Sequence, residues 1–132
     1  MLIYRIENAE GKGPYMSVGQ GAFATEYHNK ESGRPEPEYD FAPAKWEIAH
    51  KYKWVFGFST LDQLSKWFNL KERKKLNELG FKVALYEAPV YEASSYQAMF
   101  YPQCAVKTGE QPLMCENETV VQKINEDCNI AF

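Results

Sequence analysis

The sequence predicts an α+β domain: a small antiparallel or mixed sheet, a helical hairpin, and a long N-terminal loop packed against them. Three observations carry this reading. Short segments that alternate or run apolar recur at 2–7, 54–58, 81–87 and 96–101; helical spacing is confined to the middle of the chain; and residues 8–53 combine frequent Gly and Pro with dispersed aromatics.

The first strand is Leu2 to Glu7, with Ile3, Arg5 and Glu7 on one face and Leu2, Tyr4 and Ile6 on the other. From Asn8 to about Lys53 the period dissolves at Gly11, Gly13-Pro14, Gly19, Gly21, Gly33, Pro35, Pro37 and Pro43. Tyr15, Phe23, Tyr27, Tyr39, Phe41, Trp46 and Tyr52 lie in this stretch, which a free linker would not need, so a loop packed on the body is expected. One short helix is predicted around 44–52 from the spacing of Trp46, Ala49 and Lys53. The run Trp54 to Phe58 reads as a buried strand. Ser59-Thr60 then offers an N-cap with Asp62 or Gln63 closing a capping box, and Leu61, Leu64, Trp67 and Phe68 follow at helical spacing. A second helix is predicted from Lys71 to Leu79, with Leu76 and Leu79 inward and Gly80 as its C-terminal cap.

The segments 81–87 and 96–101 are expected to pair antiparallel, punctuated by Pro89 and Ser94-Ser95. Thr108 to Pro112 reads as a turn, and Asn117 to Asp127 as a short helix striped with Val120, Val121 and Ile124. The domain is drawn at 1–107, with 108–132 as a C-terminal extension that packs on it or partly frays.

At 132 residues the chain fits one domain, and 45% hydrophobic with 15% aromatic residues excludes disorder over most of its length. A formal net charge of −3 gives no general drive toward phosphate backbones or anionic lipid, so nucleic acid is not an expected partner class. No apolar run approaches the ~18 residues of a membrane span, and a soluble, unprocessed, cytoplasmic protein without a membrane partner is expected. Cys104, Cys115 and Cys128 have no CxxC spacing and read as small buried reduced thiols; with His28 and His50 they match no structural zinc pattern, so no metal site is expected. Gly11-x-Gly13 and Gly19-x-Gly21 do not open a helix after a strand and read as turn glycines. Lys66 and the run Lys71 to Lys75 read as a solvated helix face.

Glu36, Glu38 and Asp40 alternate with Pro37 and Tyr39, so an extended strip would carry its carboxylates on one side toward a basic partner. Tyr15, Tyr39 and Trp46 are residue types that anchor interfaces, or else a satellite core under the loop. Arg5, central in its strand, needs a carboxylate or anion if buried; Glu7 and Glu87 are the nearest choices.

The chain resembles a family of small bacteriophage- and prophage-encoded proteins over residues 1–107. The resemblance is carried by Ile3-Tyr-Arg-Ile-Glu7, Gly13-Pro14-Tyr15, Gly57-Phe58-Ser59, Leu61-Asp-Gln-Leu-Ser-Lys-Trp-Phe68, Gly80-Phe81-Lys-Val83 and Tyr86. It implies an accessory protein of the host cytoplasm that binds a host macromolecule, a component of metabolism or defence, without catalysis and without a cofactor. A weaker likeness is to ADP-ribosyltransferase folds. By position, that likeness implies that Arg5 and Ser59 orient NAD or ADP-ribose, that Glu92 or Gln97 stands at the catalytic place, and that Arg5, Ser59 and Gln97 share a cleft. The sequence departs from that pattern, since Gln97 cannot supply a carboxylate and no Glu-x-Glu lies on a late strand.

Overall fold

The computed structural model describes residues 1–14, 35 and 37–114, apart from the side chain of Glu38. Tyr15, Glu36, His28, Cys115, Cys128 and the helix expected at 117–127 lie outside the described residues. In chain order the elements are β1 (Leu2–Glu7), α1 (Pro37–Asp40), α2 (Pro43–Lys51), β2 (Val55–Gly57), α3 (Leu61–Trp67), α4 (Leu70–Glu78), β3 (Lys82–Glu87), β4 (Tyr91–Ala93), β5 (Ala98–Phe100), a 3-10 turn (Pro102–Cys104) and β6 (Val106–Gln111). The fold is α+β, with two three-stranded antiparallel sheets ordered β1-β3-β6 and β2-β5-β4.

The two sheets meet at one bridge, where the amides of Tyr4 and Phe58 each donate to the other's carbonyl at 2.8 Å. Backbone contact there is so close that a Cβ on Gly57 would sit 2.6 Å from Ile3 Cγ2 and 2.8 Å from the Tyr4 carbonyl oxygen, which is why this position carries glycine. One face of β1 and β3 gives Ile6 and Val83 to a core with Phe58, Leu64, Phe68, Leu76, Phe81 and Leu113, under α3 and α4. The opposite face gives Ile3 to a second cluster with Ala88, Ala98 and Phe100. Met99 points the other way from its β5 neighbours, into a third cluster with Phe41 and Ala49, against which Trp46, Trp54 and Phe56 pack.

Local chemistry explains the helices. The Thr60 side chain accepts from the Gln63 amide, the predicted cap, and the Gln63 side chain accepts in turn from the Ser59 amide at 2.9 Å. Helix α4 starts one residue earlier than its spacing predicts, because Asn69 and Glu72 form a reciprocal capping box. It ends before Gly80, whose φ of +90° is the left-handed geometry that favours glycine. Leu76 is buried as expected, but Leu79 is exposed, since the chain has already begun to leave the helix there.

Four expectations are corrected. Segments 81–87 and 96–101 do not pair with each other: β3 lies between β1 and β6, and β5 between β2 and β4. The short strand β4 intervenes, and the Ser94-Ser95 pair is the turn of the β4–β5 hairpin, closed by the Ser94 amide on the Gln97 carbonyl at 2.8 Å. Thr108 to Gln111 is strand rather than turn, because Gly109 lies beside a β-bulge in the β3–β6 pairing. The strip Glu36 to Asp40 is not extended, since Pro37–Asp40 is a short helix. Cys104 is exposed rather than buried.

Candidate functional site

Among the described residues, a group of interacting ionisable side chains lies on the face of β1 and β3 that carries Arg5, Glu7 and Tyr86. Strand alternation puts Arg5 and Glu7 on one side of β1, and the register Ile3↔Tyr86 and Arg5↔Ala84 puts Tyr86 and the small Ala84 beside them. Glu7 is 4% exposed and its carboxylate is saturated. Tyr86 Oη donates to its two oxygens at 2.8 and 2.9 Å, Arg5 Nε lies 3.2 Å from Oε2, and Lys107 Nζ lies 3.1 Å from Oε1. Arg5 Nη1 also donates to the Phe56 carbonyl at 2.8 Å, which ties β1 to the second sheet. Gly13 packs on the same guanidinium, where a Cβ would stand 3.3 Å from Nη2.

Burial lowers the Arg5 pKa, opposed by Glu7 and Tyr86. The Tyr86 hydroxyl is pushed up to about 12, first by burial and then by its hydrogen bond to the Glu7 carboxylate and that group's charge, against Lys107 and Arg5. Lys107 is raised, chiefly by its hydrogen bond to Glu110, and Glu110 is correspondingly lowered. The carboxylate that Arg5 requires is therefore Glu7, one of the two candidates the sequence offers. Tyr86 and Lys107 escaped sequence reasoning as its partners. The phase of 82–87 could have flagged Tyr86, whereas Lys107 reaches this face only through the bulge in β6.

Gln97 belongs to a different cluster. It is 4% exposed, and its Nε2 donates to Asp40 Oδ2 at 3.0 Å and to the Pro35 carbonyl at 3.1 Å. Ser94 Oγ donates to the same carboxylate oxygen. Asp40 thus anchors α1 to the β4–β5 turn instead of facing outward. Glu92 pairs with Lys45 at 2.9 Å, linking β4 to α2. The Ser59 side-chain oxygen is buried without a hydrogen-bond partner. A shallow cleft beyond it is lined by Asp62, Gln63, Lys66, Trp67, Ser95 and Tyr96, with Gln63 Nε2 donating to the carbonyls of Ser94 and Ser95 at 3.1 Å. Arg5, Ser59 and Gln97 share no hydrogen-bond partner among the described residues; Arg5 bonds to Glu7, Phe56 and Gly11, the Ser59 amide to Gln63, and Gln97 to Asp40, Pro35 and Ser94.

The aromatic candidates divide. Trp46 is half-buried against His50 and Phe56, with ring centroids at 5.3 and 6.2 Å, as part of the third cluster's surround. Tyr39 is 82% exposed, although its neighbours Asp40 and Phe41 are both turned inward. Ile48 and Tyr52, one turn apart on and just beyond α2, are also exposed. No three His, Cys, Asp or Glu side chains group as metal ligands could among the described residues, and no described helix is long and apolar enough to cross a membrane.

No curated protein and no solved structure matches the chain. The family model described as Bacteriophage T4 Y00F protein matches residues 1–114, which takes in β1 through β6 and both buried clusters around Glu7 and Asp40. None of this points to an ADP-ribosyltransferase. A match over that much of the sequence, including every strand and helix described above, makes the chain a member of the bacteriophage T4 Y00F protein family.

Proposed function

We propose that the protein is a bacteriophage accessory protein that binds a host protein in the host cytoplasm and modulates it without catalysis. Membership of a bacteriophage family supports the setting. The observation that carries the reading is Tyr39: a phenol 82% exposed on a helix whose next two residues are locked inward, by Asp40 on Ser94 and Gln97 and by Phe41 in a core cluster. A large side chain on a fixed mount loses little conformational freedom on binding, and tyrosine is among the residues that anchor interfaces. Ile48 and Tyr52 add exposed apolar surface on and just beyond α2, the helix that packs with α1. Among the described residues, the charged candidates are engaged in pairs, Arg5 with Glu7, Glu92 with Lys45 and Asp40 with Gln97.

The test is capture from host lysate on immobilised protein, run side by side with Tyr39→Ala and Tyr52→Ala. One host protein retained by the parent and lost with Tyr39→Ala is the expected result. Equal recovery on the parent and both variants removes the proposed surface. In parallel, a thermal-shift series with NAD and ADP-ribose should leave the melting temperature unchanged; a rise abolished by Ser59→Ala would instead favour a nucleotide pocket.

A further inference from the structure

Among the described residues, strand β6 stands at the outer end of the β1-β3-β6 sheet, and its sequence Val-Lys-Thr-Gly-Glu-Gln is complementary to itself when reversed. Its register with β3 runs Glu87↔Val106, Tyr86↔Lys107, Leu85↔Gly109, Ala84↔Glu110 and Val83↔Gln111, so Thr108 is the additional residue of the bulge. In an unbroken strand, residues three apart point to opposite faces. The bulge changes that parity. Lys107 and Glu110 fall on one face, with Nζ 2.6 Å from Oε1, and Val106 and Gln111 fall on the other.

Two identical strands pair antiparallel about a two-fold axis perpendicular to the sheet, and facing residues must then lie on the same face. An axis through Thr108 and Gly109 meets that condition only because of the bulge. It sets Lys107 of one copy opposite Glu110 of the other, Val106 opposite Gln111, and the two bulges opposite each other. Without the bulge, the opposite charges would be on different faces.

We propose that two copies of this chain associate through β6, forming one six-stranded antiparallel sheet across the two-fold axis. The four facing charges alternate in sign around the axis, and Val106, 63% exposed in the single chain, gains cover. A single pair of edge strands is well below a standard interface, so the dimer is weak and concentration-dependent.

Sedimentation equilibrium of the full chain from about 10 μM to about 1 mM should show the mass moving from one copy toward two. A single-copy mass throughout overturns the proposal. Glu110→Lys, which sets lysine against Lys107 at both positions, should weaken association at least about tenfold, with Glu110→Gln in between; undiminished association of Glu110→Lys overturns it by placing the interface elsewhere. The register has its own readout in chains with Cys104, Cys115 and Cys128 replaced by serine. Val106→Cys mixed with Gln111→Cys should oxidise to a mixed disulfide dimer, and Val106→Cys alone should not. The reverse pattern contradicts the two-fold register.

Discussion

Glu7 is the residue on which the sheet's polar face depends. It holds Arg5, Tyr86 and Lys107 at once, and removing its carboxylate leaves a buried guanidinium uncompensated. Glu7→Ala should therefore cost about 3–5 kcal/mol in denaturant unfolding, whereas Tyr86→Phe, which removes one donor to a charged acceptor, should cost about 1.5–3 kcal/mol. The same phenol sets an alkaline limit. Its folded pKa is raised to about 12 from an ordinary value near 10. The contribution of the neutral hydroxyl is thus complete below pH 10 and is lost as pH rises toward 12. Unfolding free energy measured over that window should fall less steeply in Tyr86→Phe than in the parent protein. Gly57 is a second sensitive position, since a methyl group there collides with Ile3 and the Tyr4 carbonyl. Gly57→Ala should destabilise by about 1–3 kcal/mol or more, read in the same experiment.

At the scale of elements, α1 is too short to persist by itself and is held by side chains rather than by its own hydrogen bonds. Gln97→Ala removes the donor to Asp40 and Pro35, so amide exchange at residues 38–41 should speed up while β1 and β3 keep their protection. Helix α3 was legible because its cap and apolar spacing are both local, and β1 because its alternation survives intact. The strand pairing was not legible, because β4 is three residues long and β5 is buried on all three of its residues, which leaves no alternation to assign a face. Strand β6 was hidden by Gly109 and Pro112, turn-forming residues that here mark a bulge and a strand end. The site was half legible for the same reason. Arg5 and Glu7 sit within one strand and could be paired from sequence, but Tyr86 and Lys107 meet them through sheet register. Gln97 and Asp40, singled out for catalysis and for binding, meet across 57 positions of chain to fasten a helix.

At the scale of the whole molecule, the apolar and polar clusters among the described residues hold Arg5, Glu7, Asp40 and Gln97 inward and leave Tyr39 and Tyr52 facing outward. Exposed substitutions away from caps and clusters change stability by under about 0.5 kcal/mol. Tyr39→Ala should therefore melt with the parent protein while losing its host partner, which separates a binding surface from a structural one. The most direct measurement replaces Tyr39 with a photoreactive aromatic in host cells, and uses exposed Lys82 on β3 as the control position. One host protein cross-linking repeatedly from position 39, and not from position 82, is the predicted result. The same products from both positions, or none from position 39, would contradict the account.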